Sequence, residues 1–236
     1  MCCPALAAIL TIKIKGRGLS ELRLKWGGWR STVHSYLIPV VYISAAYCLA
    51  WTFGFAGVPN SETIAEWGSE LGLSGMGVTA SVVVMVGLLA TIQFIKSLGT
   101  IVGEELGWRG FLVWELRKVM PFSAICLTSG VIWSLWHLPI VVTYGGGNPW
   151  LQMTNFTIMI VSMSVIMTYY TFKSNSVWPA VMFHAAHNIY VQKIFTPLST
   201  RNDNTSFWID EYGILVPAMV AMIAVVYWRR ANTEEL

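Results

Sequence analysis

Long apolar stretches constrain this chain more than any other feature of its sequence. Five of them reach the length of about 20 residues that an α-helix needs to cross a bilayer, and a sixth is shorter, with Pro217 near its start. The predicted spans are residues 33–56, 78–99, 122–144, 151–172, 176–196 and 212–228. Only helices and closed barrels satisfy the backbone in lipid, and these stretches lack the alternation of barrel strands. The sequence therefore predicts an all-α, polytopic integral-membrane helical bundle.

The distribution of charge predicts how the bundle sits in the membrane. Charged residues make up 11% of the 236, against about 25% in an average soluble domain. Basic residues concentrate in 13–30, at 117–118, at Lys173 and at 229–230, whereas the alternate loops are acidic or nearly uncharged. Basic loops stay cytoplasmic, so both termini are predicted in the cytoplasm of a bacterial plasma membrane. The net charge of +3 then reflects topology: membrane lipid is a predicted partner and nucleic acid is not.

The chain reads as one domain over residues 1–236, because no linker or low-complexity segment divides it. Residues 1–32 are predicted to be an N-terminal helix remnant followed by a basic cytoplasmic segment. The apolar part is too short to span, so it is either the end of a helix that starts upstream or a short interfacial anchor. The four cysteines show no metal-binding spacing.

The first polar cluster is Glu104-Glu105-x-x-x-Arg109, embedded in apolar sequence. Ionisable groups at membrane depth are costly and mark a functional site by default. Glu105 and Arg109 are four apart and can pair on one helix face, which leaves Glu104, about 100° around the helix, free to face elsewhere. A structural ion pair, or charge at the cytoplasmic boundary, explains the cluster equally well.

The second cluster is Trp133-x-x-x-His137. A turn at residues 119–121 would place Glu104 and His137 equally far from it, so a helical hairpin would bring them to similar depth. Glycines at 99, 103 and 107 would allow close packing or a break in the preceding helix. A lone histidine in a transmembrane helix also commonly serves as a helix–helix contact.

The third cluster is His184-x-x-x-Asn188, whose two members share one helix face. His187 is turned aside and is predicted to be structural. Amide hydrolysis needs an activated water and donors for the oxyanion. Glu104 and His137 can activate the water, and His184 and Asn188 can donate.

A zinc site is an equally open interpretation, because a carboxylate and two imidazoles form a ligand set with an open position for water. The tentative metal ligands are Glu104, His137 and His184. No nucleophile-elbow or H-E-x-x-H motif is present, and no cysteine neighbours the clusters. Covalent catalysis is therefore unsupported.

In order and spacing, the three clusters resemble the motifs of the CPBP family (Abi, CAAX protease and bacteriocin-processing) of intramembrane proteases. The type II CAAX prenyl endopeptidase, or Ras-converting enzyme, is the eukaryotic relative. The resemblance covers about 78–195, the predicted catalytic core. It implies a bundle of about six to eight transmembrane helices with a catalytic cavity open to the cytoplasm.

The resemblance also implies roles for individual residues. Glu104 and His137 would activate water, His184 and Asn188 would form the oxyanion side, and Glu105 and Arg109 would support them. The second motif of the family usually begins with Phe. Trp133 is a departure expected to reshape the pocket more than the chemistry.

The predicted function is thus an intramembrane metalloendopeptidase acting on peptide or protein substrates at the cytoplasmic leaflet. Peptide maturation, bacteriocin immunity and regulated proteolysis are the expected settings. One alternative is a non-catalytic membrane immunity or binding protein that keeps the clusters for stability. Another is a transporter or proton relay, disfavoured because the polar groups lie on one side and no inverted repeat is evident.

Overall fold

The computed structural model describes residues 2–72, 77–144 and 148–236, and its architecture is all-α. The principal helices are α1 (Cys3–Ile14), α2 (Trp29–Thr52), α3 (Ser61–Glu70), α4 (Val78–Leu116), α5 (Phe122–Trp136), α6 (Leu138–Tyr144), α7 (Pro149–Ser174), α8 (Trp178–Asn188), α9 (Thr205–Trp208) and α10 (Leu215–Thr233). Three helices of the described chain, α2, α4 and α7, are long and apolar enough to cross a membrane, and α1 and α5 are shorter apolar helices. The predicted all-α class is confirmed, although not every predicted span is one long helix.

Helix α4 differs from its predicted end at residue 99. It runs for 39 residues through the first polar cluster, with π-helical stretches at Leu89–Gln93 and Trp108–Leu112. The glycines do not break it. Gly107 instead permits close contact with α1, since a Cβ there would lie 2.3 Å from Cβ of Pro4. Glu104 and Glu105 are buried within this continuous helix.

The predicted span 122–144 is divided into α5 and α6 at His137, which caps α5. Pro139 lies in the first turn of α6, where its missing N–H is tolerated. A proline at that position cannot continue the hydrogen-bond ladder of α5. The chain therefore bends beside one of the predicted site residues.

Helix α7 is central to the bundle. It packs against α5 and α10, while α8 packs against α2 and α4. Gly130 of α5 comes so close to α7 that a Cβ there would lie 2.8 Å from Cα of Val161. Beyond α8 the helix continues in a π-helical stretch, Ile189–Phe195. The candidate site lies where α4, α5, α7 and α8 converge.

The bundle has two distinct ends. At the basic end, residues 17–24, 114–123, 172–178 and 228–234 meet: Trp178 Nε1 donates to the Leu24 carbonyl (2.8 Å) and Lys173 pairs with Glu234 (2.9 Å). At the distal end, residues 51–60 meet residues 196–214. There the Phe55 ring stacks on Trp208 with centroids 3.9 Å apart, and Gly57 bridges to Thr200.

Candidate active site

Glu105 and Arg109 form the predicted i,i+4 pair, which is confirmed. Nη1 of Arg109 lies 3.2 Å from Oε2 of Glu105, and both side chains are 0% exposed. The guanidinium also faces the ring of Trp133, 4.3 Å from its centroid. The pair thus braces α4 against α5 from inside the bundle.

Glu104 points away from this pair, as predicted, and is 2% exposed. Its Oε2 accepts a hydrogen bond from Nε1 of Trp133 across the hairpin, at 3.3 Å. The hairpin therefore brings the first and second clusters together. A phenylalanine ring could not make this bond, so the tryptophan changes the polar surroundings of Glu104 as well as the shape of the pocket.

Both imidazoles of the predicted site are oriented through Nδ1. Nδ1 of His137 lies 3.0 Å from the Trp133 carbonyl oxygen, and Nδ1 of His184 lies 2.8 Å from Oε1 of Glu105. Both partners only accept, so each Nδ1 carries the hydrogen and donates. Nε2 is the nitrogen left to each ring for a water or a substrate.

One cavity of about 260 Å³ collects the reactive groups. Glu104, His137, His184 and Asn188 line it, whereas Glu105 and Arg109 lie behind its wall. The other polar lining residues are His187, Gln192, Glu211 and Tyr212, and apolar side chains of α7 complete the wall. The structure therefore assembles one carboxylate, two oriented imidazoles and a carboxamide around one space.

Glu211 was not predicted as a site residue. It precedes α10 and is 8% exposed; Nε2 of Gln192 donates to its Oε1 at 3.0 Å, and Nε2 of His187 lies 3.2 Å from the same oxygen. Burial acts to raise the pKa of Glu211, but the hydrogen bonds and charge of His187 outweigh it and hold the pKa below its ordinary value. No local signal marks this residue, because only the fold of residues 196–214 brings it to the cavity.

His187 is buried, consistent with its predicted structural role. Besides its contact with Glu211, its Nδ1 pairs with the hydroxyl of Tyr42 on α2. It also lines the cavity, so the same side chain both holds α8 against α2 and forms part of the cavity wall.

The cavity reaches from the middle of the bundle to the distal end. Glu104 and His137 each lie about 24 Å along a helix from the turn at residues 119–121, which belongs to the basic end. The exposed lining residues are Ile140 and Gln192, and two others, Glu211 and Tyr212, belong to the distal segment 196–214. That the cavity opens to the cytoplasm and that the basic loops lie in the cytoplasm both stay predictions.

The predicted metal ligands do not form a metal site here. Within residues 2–72, 77–144 and 148–236, no three histidine, cysteine or acidic side chains are grouped to hold an ion. Glu104, His137 and His184 all line the cavity, but as they stand they are not grouped closely enough to hold an ion.

Trp133→Phe tests the cross-hairpin bond to Glu104. Removing the indole N–H while keeping an aromatic ring should lower the free energy of unfolding by about 0.5–1.5 kcal/mol, the value of one modest hydrogen bond. The control is Trp108→Phe, since Nε1 of Trp108 is buried without a hydrogen-bond partner. Equal losses in both variants would mean that Trp133 acts only through packing.

An all-α bundle with three helices long and apolar enough to cross a membrane, and with a cavity lined by acid, imidazole and amide groups, fits a membrane protein with an internal polar site. Residues 86–190 match the family model described as type II CAAX prenyl endopeptidase Rce1-like. The matched residues, which make up less than half of the chain, are similar to this Rce1-like family. The match contains all of the predicted site residues.

A curated relative supports the same assignment. The CAAX prenyl protease 2 of Methanococcus maripaludis is 27% identical over 141 residues, which cover 56% of this chain and 48% of the relative. The chain thus spans about half the length of the curated relative it matches. The resemblance inferred from the three motifs is confirmed.

Proposed function

We propose that this protein is an intramembrane endopeptidase that hydrolyses peptide bonds of membrane-associated peptides or proteins. One observation carries the proposal: Glu104 of α4, His137 at the end of α5, and His184 and Asn188 of α8 line one cavity. Both imidazoles are oriented by Nδ1 donation. Similarity to a family of prenyl endopeptidases agrees with this chemistry.

In the proposed reaction, Glu104 is the general base. Its carboxylate accepts a proton from a water that is also hydrogen-bonded to Nε2 of His137, and the water oxygen attacks the peptide carbonyl carbon. Glu104 then passes the proton to the leaving nitrogen as the C–N bond breaks. The products are a carboxylic acid and an amine.

The developing oxyanion is stabilised from α8. The Asn188 amide donates to it, and so does Nε2 of His184 when the ring is protonated beside the Glu105 carboxylate. Glu105 is therefore a positioning residue for His184, and Arg109 in turn holds Glu105. No step of this mechanism uses a metal, because the residues present do not assemble a ligand set.

The experiment that tests the function uses the full chain, purified in detergent and returned to nanodiscs. We expect cleavage of a membrane-associated peptide library at defined bonds, read by mass spectrometry, and expect it to persist with 1,10-phenanthroline. Activity that chelation abolishes and zinc restores would support the metal mechanism instead. Absence of cleavage across the library would favour a binding or immunity protein, and solute flux through proteoliposomes without cleavage would favour a transporter.

We further propose that the protein resides in a plasma membrane with its basic end in the cytoplasm. Substrate would then enter from the distal end, on the other side of the membrane. A substrate at the cytoplasmic leaflet requires the opposite orientation.

Cysteine labelling in intact cells decides between these orientations. In a background with Cys2, Cys3 and Cys48 changed to Ser, Gln192→Cys at the cavity rim should react with an impermeant maleimide. Arg229→Cys at the basic end should react only after permeabilisation. The reverse pattern would place the cavity opening in the cytoplasm.

A further inference from the structure

A second pocket lies at the basic end, and it shares no lining residue with the site cavity. Its volume is about 410 Å³. The pocket lies between the segment after α1 and the C-terminal turns of α4. The lining residues are Arg17, Glu21, Arg23, Gly110, Phe111, Trp114, Glu115, Arg117 and Lys118. Four cations therefore face two carboxylates.

The carboxylates are already engaged with two of these cations. Arg17 pairs with both Glu21 and Glu115, and Nζ of Lys118 lies 2.7 Å from Oε1 of Glu115. Neither Arg23 nor Arg117 has a carboxylate partner among the described residues. Nε of Arg23 is buried and has no hydrogen-bond partner. Two positive charges therefore remain in the pocket without an anion.

Both unpaired guanidinium groups are held by aromatic rings. Cζ of Arg23 lies 4.5 Å from the ring centroid of Trp114, and Cζ of Arg117 lies 5.6 Å from the same ring and 4.3 Å from that of Phe172. Stacking restricts a guanidinium but leaves its N–H edge available to an acceptor. Both planar donors are thus positioned in advance against one indole, that of Trp114.

We propose that this pocket binds a phosphate group, supplied by the headgroup of an anionic phospholipid, with Arg23 and Arg117 as the binding residues. A pair of arginine side chains matches phosphate oxygens in geometry and charge. Basic pockets at the cytoplasmic ends of transmembrane helices suit lipid headgroups. Exposed apolar side chains at the same end, Leu19, Leu24 and Val119, offer a surface for acyl chains. That surface favours a lipid over a free phosphate ion.

The experiment compares the full-length protein in nanodiscs of phosphatidylcholine alone and of phosphatidylcholine with phosphatidylglycerol. Retained lipid is counted by native mass spectrometry and thermal unfolding is followed in parallel, with inorganic phosphate added to the neutral discs as a separate arm. We expect the wild type to retain phosphatidylglycerol and to unfold at higher temperature with it. Arg23→Gln/Arg117→Gln should bind about 30-fold more weakly, the loss for two cations near a membrane surface.

The matched control is Arg229→Gln, which removes one exposed positive charge from the same end but outside the pocket. Equal lipid retention in the control and the double variant would overturn the proposal, and so would equal retention of neutral and anionic lipid. A shift produced by inorganic phosphate alone would overturn the assignment to lipid. If the double variant does not fold, Arg117→Gln alone replaces it, with an expected loss of about 5-fold in lipid affinity. Glu104→Gln should retain lipid whether or not the protein is a protease.

Discussion

Glu104→Gln is expected to lower kcat for peptide cleavage by about 10²–10⁴-fold, the contribution of a positioned general base. The fold should be unchanged, because the amide oxygen of glutamine can still accept from Nε1 of Trp133, as Oε2 of Glu104 does at 3.3 Å. What the variant loses is the ability to take a proton from water. Steady-state kinetics in nanodiscs, with circular dichroism and thermal unfolding on the same sample, separate these effects.

The control for this prediction is Glu66→Gln, the same exchange at an exposed position of α3. It should cleave like the wild type. If Glu104→Gln retained more than about a tenth of the wild-type kcat, Glu104 could not be the general base. A low rate accompanied by a lowered unfolding temperature would instead indicate a structural role.

Arg109→Met is expected to cost about 3–5 kcal/mol of stability, the effect of removing one partner of a buried ion pair. Glu105, which is 0% exposed, would be left fully buried with only the His184 imidazole as a partner. The free energy of unfolding in mixed micelles measures the loss. The control is Lys173→Met, which breaks an exposed pair: the side chain of Lys173 is 46% exposed and that of Glu234 is 36% exposed. This variant should change the free energy of unfolding by about 1 kcal/mol or less.

A double variant separates the scaffold from the reaction. Glu105→Leu/Arg109→Met should recover most of the lost stability, since apolar side chains can replace a buried pair. It should remain inactive, because Nδ1 of His184 loses its acceptor at 2.8 Å. Recovery of both stability and activity would show that the pair serves only the fold.

Local spacing and hydrophobicity predicted the parts of this protein that depend on short stretches of chain. The helical membrane class follows from the apolar stretches, because lipid leaves the backbone few alternatives. The Glu105–Arg109 pair follows from the geometry of one helix. The hairpin that joins Trp133 to Glu104 follows from equal distances on either side of one turn.

Other features were decided by packing between distant segments. Glu105 serves His184 as well as Arg109, and Glu211 completes the cavity through His187 and Gln192. The continuity of α4 past residue 99 was not predicted either, because charged residues end an apolar stretch without ending a helix.

The sequence by itself determined the helical class with its bilayer-length apolar stretches, the three clusters and the family that they resemble. The tertiary structure decided which carboxylate faces the cavity, which groups orient the imidazoles and which end of the bundle the cavity reaches. The physical reason is that a helix fixes the face on which each side chain lies, whereas only helix–helix packing fixes what that face meets. The side of the membrane from which substrate arrives depends on the charge distribution in the sequence and on the end of the bundle that the cavity reaches.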